Sequence, residues 1–506
     1  MNTAKILPFS GISPDFVLRT ASRPELIQMV LKLQAQLDQE LLEKNTEIAD
    51  LQKKLAEKEA ELAKYVKAEI NKTANQPSSK QPEFDKNTGA NRKKRRKKRR
   101  KGRVGAGNRP KPAPDVVNIN PLNSCPECAC DLTTRPVVEV ASRIVEDIPA
   151  IPEKTIVSEE QQERKWCPTC SKIVSSVSEA ALPGSDIGLR TLCLIAYFWV
   201  VCAISMPSIA AYLQNFFRLS LSTAGISRMM IRLGKIMIPV HDEILDDVKG
   251  GKLIFADETG WRVKGVLWWL WIFANKRSAY YWPDKKRGSA VVAKILGDAF
   301  AGLLVTDAWC AYQKIVCAKQ TCMAHLLRKI RKFRDAYPDQ FSIVMFYKKL
   351  TRLLDDGERL KEMRKEIGED IFAHRLELLK KRLHKLLAWD NPSNILAEVI
   401  AKVARQEEYV LTFVSHPEAP NHNNYGEYII KKGVLKRKVS GGSMSAEGVM
   451  AYAVIQSIAQ TCHLRHVPFV GFLTQSLLHY IRTGNPLLLA EYEAKIATQE
   501  EEKKAA

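Results

Sequence analysis

The chain has 506 residues, with 78 Lys and Arg against 56 Asp and Glu, a net charge of +22 that calls for a polyanionic partner, either nucleic acid or an anionic membrane surface. Its most apolar stretch, Leu192 to Ile204, falls short of the roughly twenty residues a bilayer span needs, and no secretory signal is read at the start, so the expectation is a cytoplasmic protein without a membrane partner. Eleven cysteines in such a chain exclude a disulfide scaffold and, in two tight pairs, point to metal.

Residues 1–23 carry no clear signal. From 24 to 70 the chain is rich in Leu, Glu, Lys, Gln and Ala, with apolar residues at Ile27, Leu41, Ile48, Leu55 and Leu62 in one heptad position and Val30, Leu37, Leu51 and Tyr65 in the other. That repeat predicts a coiled-coil helix and self-association as a homodimer or higher; the competing reading is a long helix lying against its own protein. Residues 71–120 read as a disordered basic linker. Its centre is ten consecutive cations, Arg92, Lys93, Lys94, Arg95, Arg96, Lys97, Lys98, Arg99, Arg100 and Lys101, which repel one another until they meet phosphates and then bind by counterion release.

Residues 121–175 carry two Cys-Pro-x-Cys knuckles, Cys125 with Cys128 and Cys167 with Cys170. Four thiolates in this arrangement suit one structural, tetrahedral Zn2+. The interval between them reads as short strands at 137–140, 142–145 and 155–158 that a zinc ribbon could hold, and Cys130 is a possible substitute ligand. Residues 186–248 read as helical, with a helix-turn-helix pattern capped at Ser222 or Thr223. A plain helical hairpin fits equally.

At Leu253 an apolar run leads to Asp257 and Glu258 at its end. A turn at Gly260 and Gly265 follows, and then a second strand from Val266 to Ala274. Gly302 to Asp307 repeats the device of a short apolar strand tipped by an acid. Two carboxylates so carried suit hard divalent cations. A basic helix from about Thr321 to Phe333 puts His325 and Arg328 three apart on one face, a pair suited to a phosphate. Residues 252–335 thus form the first part of a core, 336–415 an inserted helical subdomain and 416–485 the second part with Glu427 on a helix. Residues 486–506 are a charged tail.

These pieces together resemble the IS66-type insertion-sequence transposases of the DDE class. The matching stretches are the leucine-rich helix, the basic linker, the cysteine knuckles, Ala256-Asp-Glu-Thr-Gly-Trp-Arg-Val263, Thr306-Asp-Ala-Trp-Cys-Ala-Tyr312, Cys322-Met-Ala-His-Leu-Leu-Arg328, Asn423-Asn-x-x-Glu427, and Arg437-Lys438 followed by Gly-Gly-Ser443. The resemblance implies a multidomain α+β protein: coiled coil, zinc ribbon, helical DNA-binding region, and an RNase H-like α/β catalytic domain interrupted by the helical subdomain. Asp257 would lie on the first strand, Asp307 on the fourth and Glu427 on a helix. Those three would hold two Mg2+ (or Mn2+) ions, with His325 and Arg328 positioning the phosphate.

The implied reaction is cleavage at the element's terminal inverted repeats and strand transfer into target DNA, in a bacterial cytoplasm at the nucleoid, with small accessory proteins of the same element as possible partners. The family's third motif usually reads Asp-Asn-Asn with Arg after the Glu, where this chain has His422 and Tyr428; Lys431 or Lys432 offers phosphate-contacting charge at that turn instead, and Lys431, Arg437 and Lys438 are the expected DNA-binding residues there. Glu447 and Glu258 compete with Glu427 for the third carboxylate. The competing functions are a catalytically inactive DNA-binding protein and an RNase H-like nuclease without strand transfer.

Overall fold

The structure is a computed structural model that describes residues 22–74, 113–142, 144–145, 151–152, 154–307, 309–389 and 394–505. The ten-residue basic run and most of the linker lie outside these residues. The described chain divides into two compact units, one drawn from residues 1–76 and 323–407, the other from 77–322 and 408–506.

The first unit is helical. It opens with α1 (Arg23–Ala74), a 52-residue helix. The heptad residues of α1 stand in the open, Leu41 at 53% and Leu62 at 64% exposure, while its charges pair along the surface, Lys44 with Glu47 at 2.8 Å and Lys54 with Asp50 at 2.7 Å. It touches one short helix of the unit, the one bearing His325 and Arg328 (Met323–Ala336). The remainder is built on a pair of helices, Phe341–Ile367 and Glu369–Leu387, joined at Gly368. Phe346, Leu350, Leu353 and Leu354 of the first and Phe372, Leu376, Leu379 and Leu383 of the second are buried. The helix of His325 and Arg328 therefore groups with the helical unit, whereas the sequence reading put it in the core's first part.

The second unit is built on a mixed sheet. Before it come a small hairpin, β1 (Arg164–Cys167) with β2 (Lys172–Ser175), and helices α2 (Leu189–Ala196), α3 (Met206–Phe217), α4 (Thr223–Ile236) and α5 (Ile238–Lys249). The predicted cap forms: Ser222 Oγ accepts from the Gly225 amide at 3.0 Å. The described residues of 137–158 contain no strand. They are β-branched, but Val138 is 99% and Ile156 92% exposed, so no apolar layer or partner ladder favours the extended pairing.

The sheet comprises β3 (Leu253–Val263), β4 (Val266–Ala274), β5 (Ala279–Asp284), β6 (Ala299–Thr306) and β7 (Val316–Thr321), in the order β5-β4-β3-β6-β7. The pairs among β3, β4 and β5 are antiparallel; β3 with β6 and β6 with β7 are parallel. Such parallel neighbours need a crossover, and the short helix Ser289–Leu296 provides the one between β5 and β6. After the helical insertion come three long helices, α12 (Asn424–Ser440), α13 (Ala446–Leu464) and α14 (Phe469–Thr483), numbered to count four insertion helices and one short turn-like helix at Thr412–Ser415.

α13 is buried on nearly all sides, which suits its small and apolar run Ala451-Tyr-Ala-Val-Ile-Gln-Ser-Ile-Ala459. It also closes the sheet's β5 edge. Ser457 Oγ and Thr461 Oγ1, one turn apart, accept from the amides of Tyr281 (2.9 Å) and Ala279 (3.1 Å), two residues apart. From the other side His241 on α5 meets the Tyr281 carbonyl at 3.1 Å through Nε2. Backbone groups that an edge strand would leave for another chain are thereby used.

Candidate active site

The sequence reading placed Asp257 at a strand end. The structure instead carries β3 straight through it to Val263, because β4 continues the ladder on one side as far as Val263 opposite Val266. On the other side the ladder with β6 stops at Phe255 opposite Val305. Asp257 therefore sits mid-strand on one flank and beyond the last pair on the other. Asp307 follows the last residue of β6, and the offset of the pairing, Phe255 with Val305, sets it across from Asp257 on the same face.

Helix α12 lies on that face. Its Tyr425 ring packs against Phe255 with centroids 4.8 Å apart, and Glu427 stands in its first turn. Asn423, just ahead of the helix and wholly buried, donates from Nδ2 to the Ala256 carbonyl at 2.8 Å and from its amide to Cys322 Sγ at 3.1 Å. One asparagine thus ties the start of the Glu427 helix to the residue preceding Asp257.

Electrostatics reports the crowding. Burial, then the charges of Glu258, Asp307 and Glu427, push the Asp257 carboxyl well above the ordinary carboxylate range, against one favourable bond from the Glu258 amide at 2.8 Å. The structure thus brings Asp257, Asp307 and Glu427 into one site. Hard carboxylate oxygens suit a divalent cation, and Asp257, Asp307 and Glu427 are the residues that would hold it.

The competitors are used elsewhere. Glu447 is exposed at the start of α13, where Ser445 caps the helix by accepting from Gly448. Glu258 points to the opposite face of β3 and is paired with Arg287. His325 and Arg328 belong to the helical unit. On α12, Lys431 and Lys438 are exposed, but Arg437 turns inward, Nη1 donating to Thr259 Oγ1 at 2.8 Å and the Gly260 carbonyl at 2.6 Å. It fastens α12 to β3 instead of facing solvent.

The Gly-Gly-Ser443 motif has a similar role. Gly441 ends α12 with φ 71°. Gly442, at φ 138°, brings the backbone so near β3 that an added Cβ would stand 2.1 Å from the Arg262 carbonyl oxygen. Ser443 then bonds Arg262 and Lys264 through its backbone and accepts from Trp261 Nε1 at 3.0 Å.

The sequence reading passed over Asn423, Arg287 and Tyr312 as actors. Asn423 and Tyr312 lay inside quoted motifs, and that placement was the available signal.

The cysteine module shows a different grouping from the four-ligand expectation. Among the described residues, the thiols that gather within 4.8 Å of one another are those of Cys125, Cys128 and Cys130; Cys167 and Cys170 do not join them. The second pair nonetheless has the same local build. The residue after each knuckle is left-handed, Ala129 at φ 55° and Ser171 at 49°, and the Cys170 amide donates to Cys167 Sγ at 3.4 Å. Turn amides draw Cys125 and Cys167 below the ordinary thiol range, Cys128 acting chiefly on the first and Cys170 on the second. Thiols favoured as thiolates suit zinc.

Comparison with known proteins adds a family. The family model for the "Transposase IS66 family" matches residues 187–451, just over half of the chain. An uncharacterized protein of Sinorhizobium fredii, y4qI, is 27% identical over 342 residues, covering 60% of this chain and 62% of its own length. Another from the same organism, y4jO, is 28% identical over 98 residues, covering 19% of this chain and 30% of its own. The chain therefore spans less than two thirds of either relative. Among the described residues no helix is long and apolar enough to cross a membrane.

Proposed function

The chain belongs to the IS66 transposase family, and from that premise we propose that it binds the terminal inverted repeats of an insertion sequence, cuts a phosphodiester there and transfers the strand into target DNA. The observation that carries this reading is that Asp257 is raised by burial and by the charges of Glu258, Asp307 and Glu427 around it. The sheet order, with the acids on and just after its first and fourth strands in sequence, supports an RNase H-like catalytic domain.

Asp257, Asp307 and Glu427 would hold two Mg2+ or Mn2+ ions, which would supply activation of the attacking hydroxyl and stabilisation of the leaving oxygen of the phosphodiester. Asp257 would be the ligand shared by both. The Glu258 amide orients its carboxylate, the Trp309 amide does the same for Asp307 at 2.9 Å, and Asn423 fixes the helix of Glu427. His325 and Arg328 contact the phosphate, and exposed Lys431 and Lys438 with the run 92–101 hold DNA backbone. Cys125, Cys128, Cys167 and Cys170 would hold one structural zinc, with Cys130 as a possible substitute ligand. The exposed seam of α1 pairs two chains, so that both element ends are handled together, with accessory proteins of the element as further partners.

The test is cleavage and strand transfer on DNA carrying the element's ends, with Mg2+, comparing the intact protein with Asp257→Asn. Products from the intact protein alone, with end binding kept in both, support the reading. Binding without cutting by the intact protein would make this a DNA-binding protein; cutting without joining would make it a nuclease.

A further inference from the structure

Beside Asp257 stands a second acid whose commitments differ completely. On a strand, neighbours face opposite ways, and Glu258 enters the interior, its side chain 1% exposed. Oε1 accepts from Arg287 twice, Nε at 2.9 Å and Nη2 at 2.7 Å, and Oε2 accepts from Tyr312 Oη at 2.5 Å. Both carboxylate oxygens are thus held by protein donors. The Arg287 guanidinium lies over two indoles, Trp309 at 4.0 Å and Trp269 at 4.3 Å. Tyr312 is buried, edge-on to Trp271 at 5.9 Å.

Trp309 precedes and Tyr312 ends the short helical turn Cys310–Tyr312, which begins three residues after Asp307, and the Trp309 amide is the one that bonds Asp307 Oδ1. The loop therefore leaves the sheet at Thr306 with no further ladder, and is fastened to β3 through Glu258.

We propose that Glu258 is a positioning residue: through Arg287 and Tyr312 it sets the Asp307 loop at the spacing from Asp257 that the shared cations require. This rests on the metal-site reading above. Loss of one contact would let Asp307 drift, leaving the ligands present but less well placed, and outer partners of metal ligands typically change affinity about 10–100-fold.

The experiment is a Mn2+ titration of the zinc-loaded full chain, with free ion followed by electron paramagnetic resonance. It compares the unaltered protein with Asp257→Asn, Glu258→Gln, Tyr312→Phe and the Glu258→Gln/Tyr312→Phe pair, melting temperatures being recorded alongside. Both single positioning variants should keep the full number of ions and bind them roughly tenfold more weakly. The double variant should fall little below the worse single, because one contact is removed twice. Asp257→Asn should lose ions outright.

Loss of an ion in Glu258→Gln, as in Asp257→Asn, would make Glu258 a ligand and overturn the proposal. So would unaltered Mn2+ affinity with only a lower melting temperature, in either single variant, since that is simple packing. If Asp257→Asn keeps every ion, the metal-site reading falls and takes the positioning role with it, an outcome distinct from both of the others.

Discussion

The acid site on the sheet and the long helix α1 differ in opposite terms. Around the sheet the apolar chemistry is finished: Phe255, Leu270, Trp271, Ile272, Phe273 and Tyr281 are wholly buried. What marks that site is its acid: burial, then the charges of Glu258, Asp307 and Glu427, raises Asp257. On α1 the charges are satisfied by neighbours a turn away, such as Lys58 with Glu61 at 2.9 Å, while Leu37, Leu51 and Leu55 stand more than half exposed. One region gathers acid over a packed core, the other carries apolar side chains in the open on a helix whose charges are matched.

Neutralising one acid should break the contrast most strongly. Asp257→Asn removes both a ligand and a repulsion, so cleavage should fall at least ~1,000-fold, the loss typical when a charge-stabilising group is taken from a reacting centre. In EDTA the same variant should melt higher, because an acid raised in the fold costs stability when ionised. A gel assay reads the first and calorimetry the second. A variant that lost activity and also stability would mean the carboxylate was structural.

On the helix the corresponding substitution is Leu41→Lys with Leu55→Lys. Two charges in the seam should weaken self-association at least ~100-fold, each leucine contributing about 2 kcal/mol when buried in a pair. Sedimentation velocity would show a dimer become a monomer. An unaltered mass, or a monomer before substitution, would return α1 to the reading in which it serves its own chain.

The two regions should also differ in tolerance. Gly442→Ala would force a side chain onto the Arg262 carbonyl at a φ of 138°, costing about 2–4 kcal/mol in denaturant unfolding. Alanine in place of exposed Gln39 on α1 should stay within about 0.5 kcal/mol. Equal effects would show that the Gly-Gly-Ser443 crossing is not held as tightly as it stands.

The sequence made Asp257, Asp307 and Glu427 legible because each lies at a set place relative to a local pattern, two at apolar runs and one in a short motif ahead of a helix. The long helix α1 was legible for the same reason, since its repeat is local. The extent of β3 was not, because the ladder through Asp257 to Val263 depends on β4 following the same path. The inward turn of Arg437 and the tie from Asn423 to Ala256 join residues 177 and 167 positions apart, a distance over which no periodicity speaks. At 137–158 the error ran the other way: β-branched residues suggested strands, but the described residues there have no layer to pack on.

The effect that depends on pH lies at His241, which has neither the crowding of the acids nor the exposure of α1. Its ring is buried, stacked on Tyr280 at 4.2 Å with Nε2 at the Tyr281 carbonyl. Burial pushes it down to about 4 from an ordinary 6.5, despite the opposing pull of that carbonyl. A base held neutral in the fold and protonated freely when unfolded gives stability that is complete above the unfolded value and drains as pH falls toward the folded one. From pH 7 to 5 the loss from this one ring is about 2 kcal/mol. His241→Gln can keep a donor at the Tyr281 carbonyl without titrating, so its urea midpoint should fall less than that of the unaltered chain over the same interval. Identical pH slopes would mean that the ring takes up its proton without leaving the fold, and that the β5 edge is held by Ser457 and Thr461 alone.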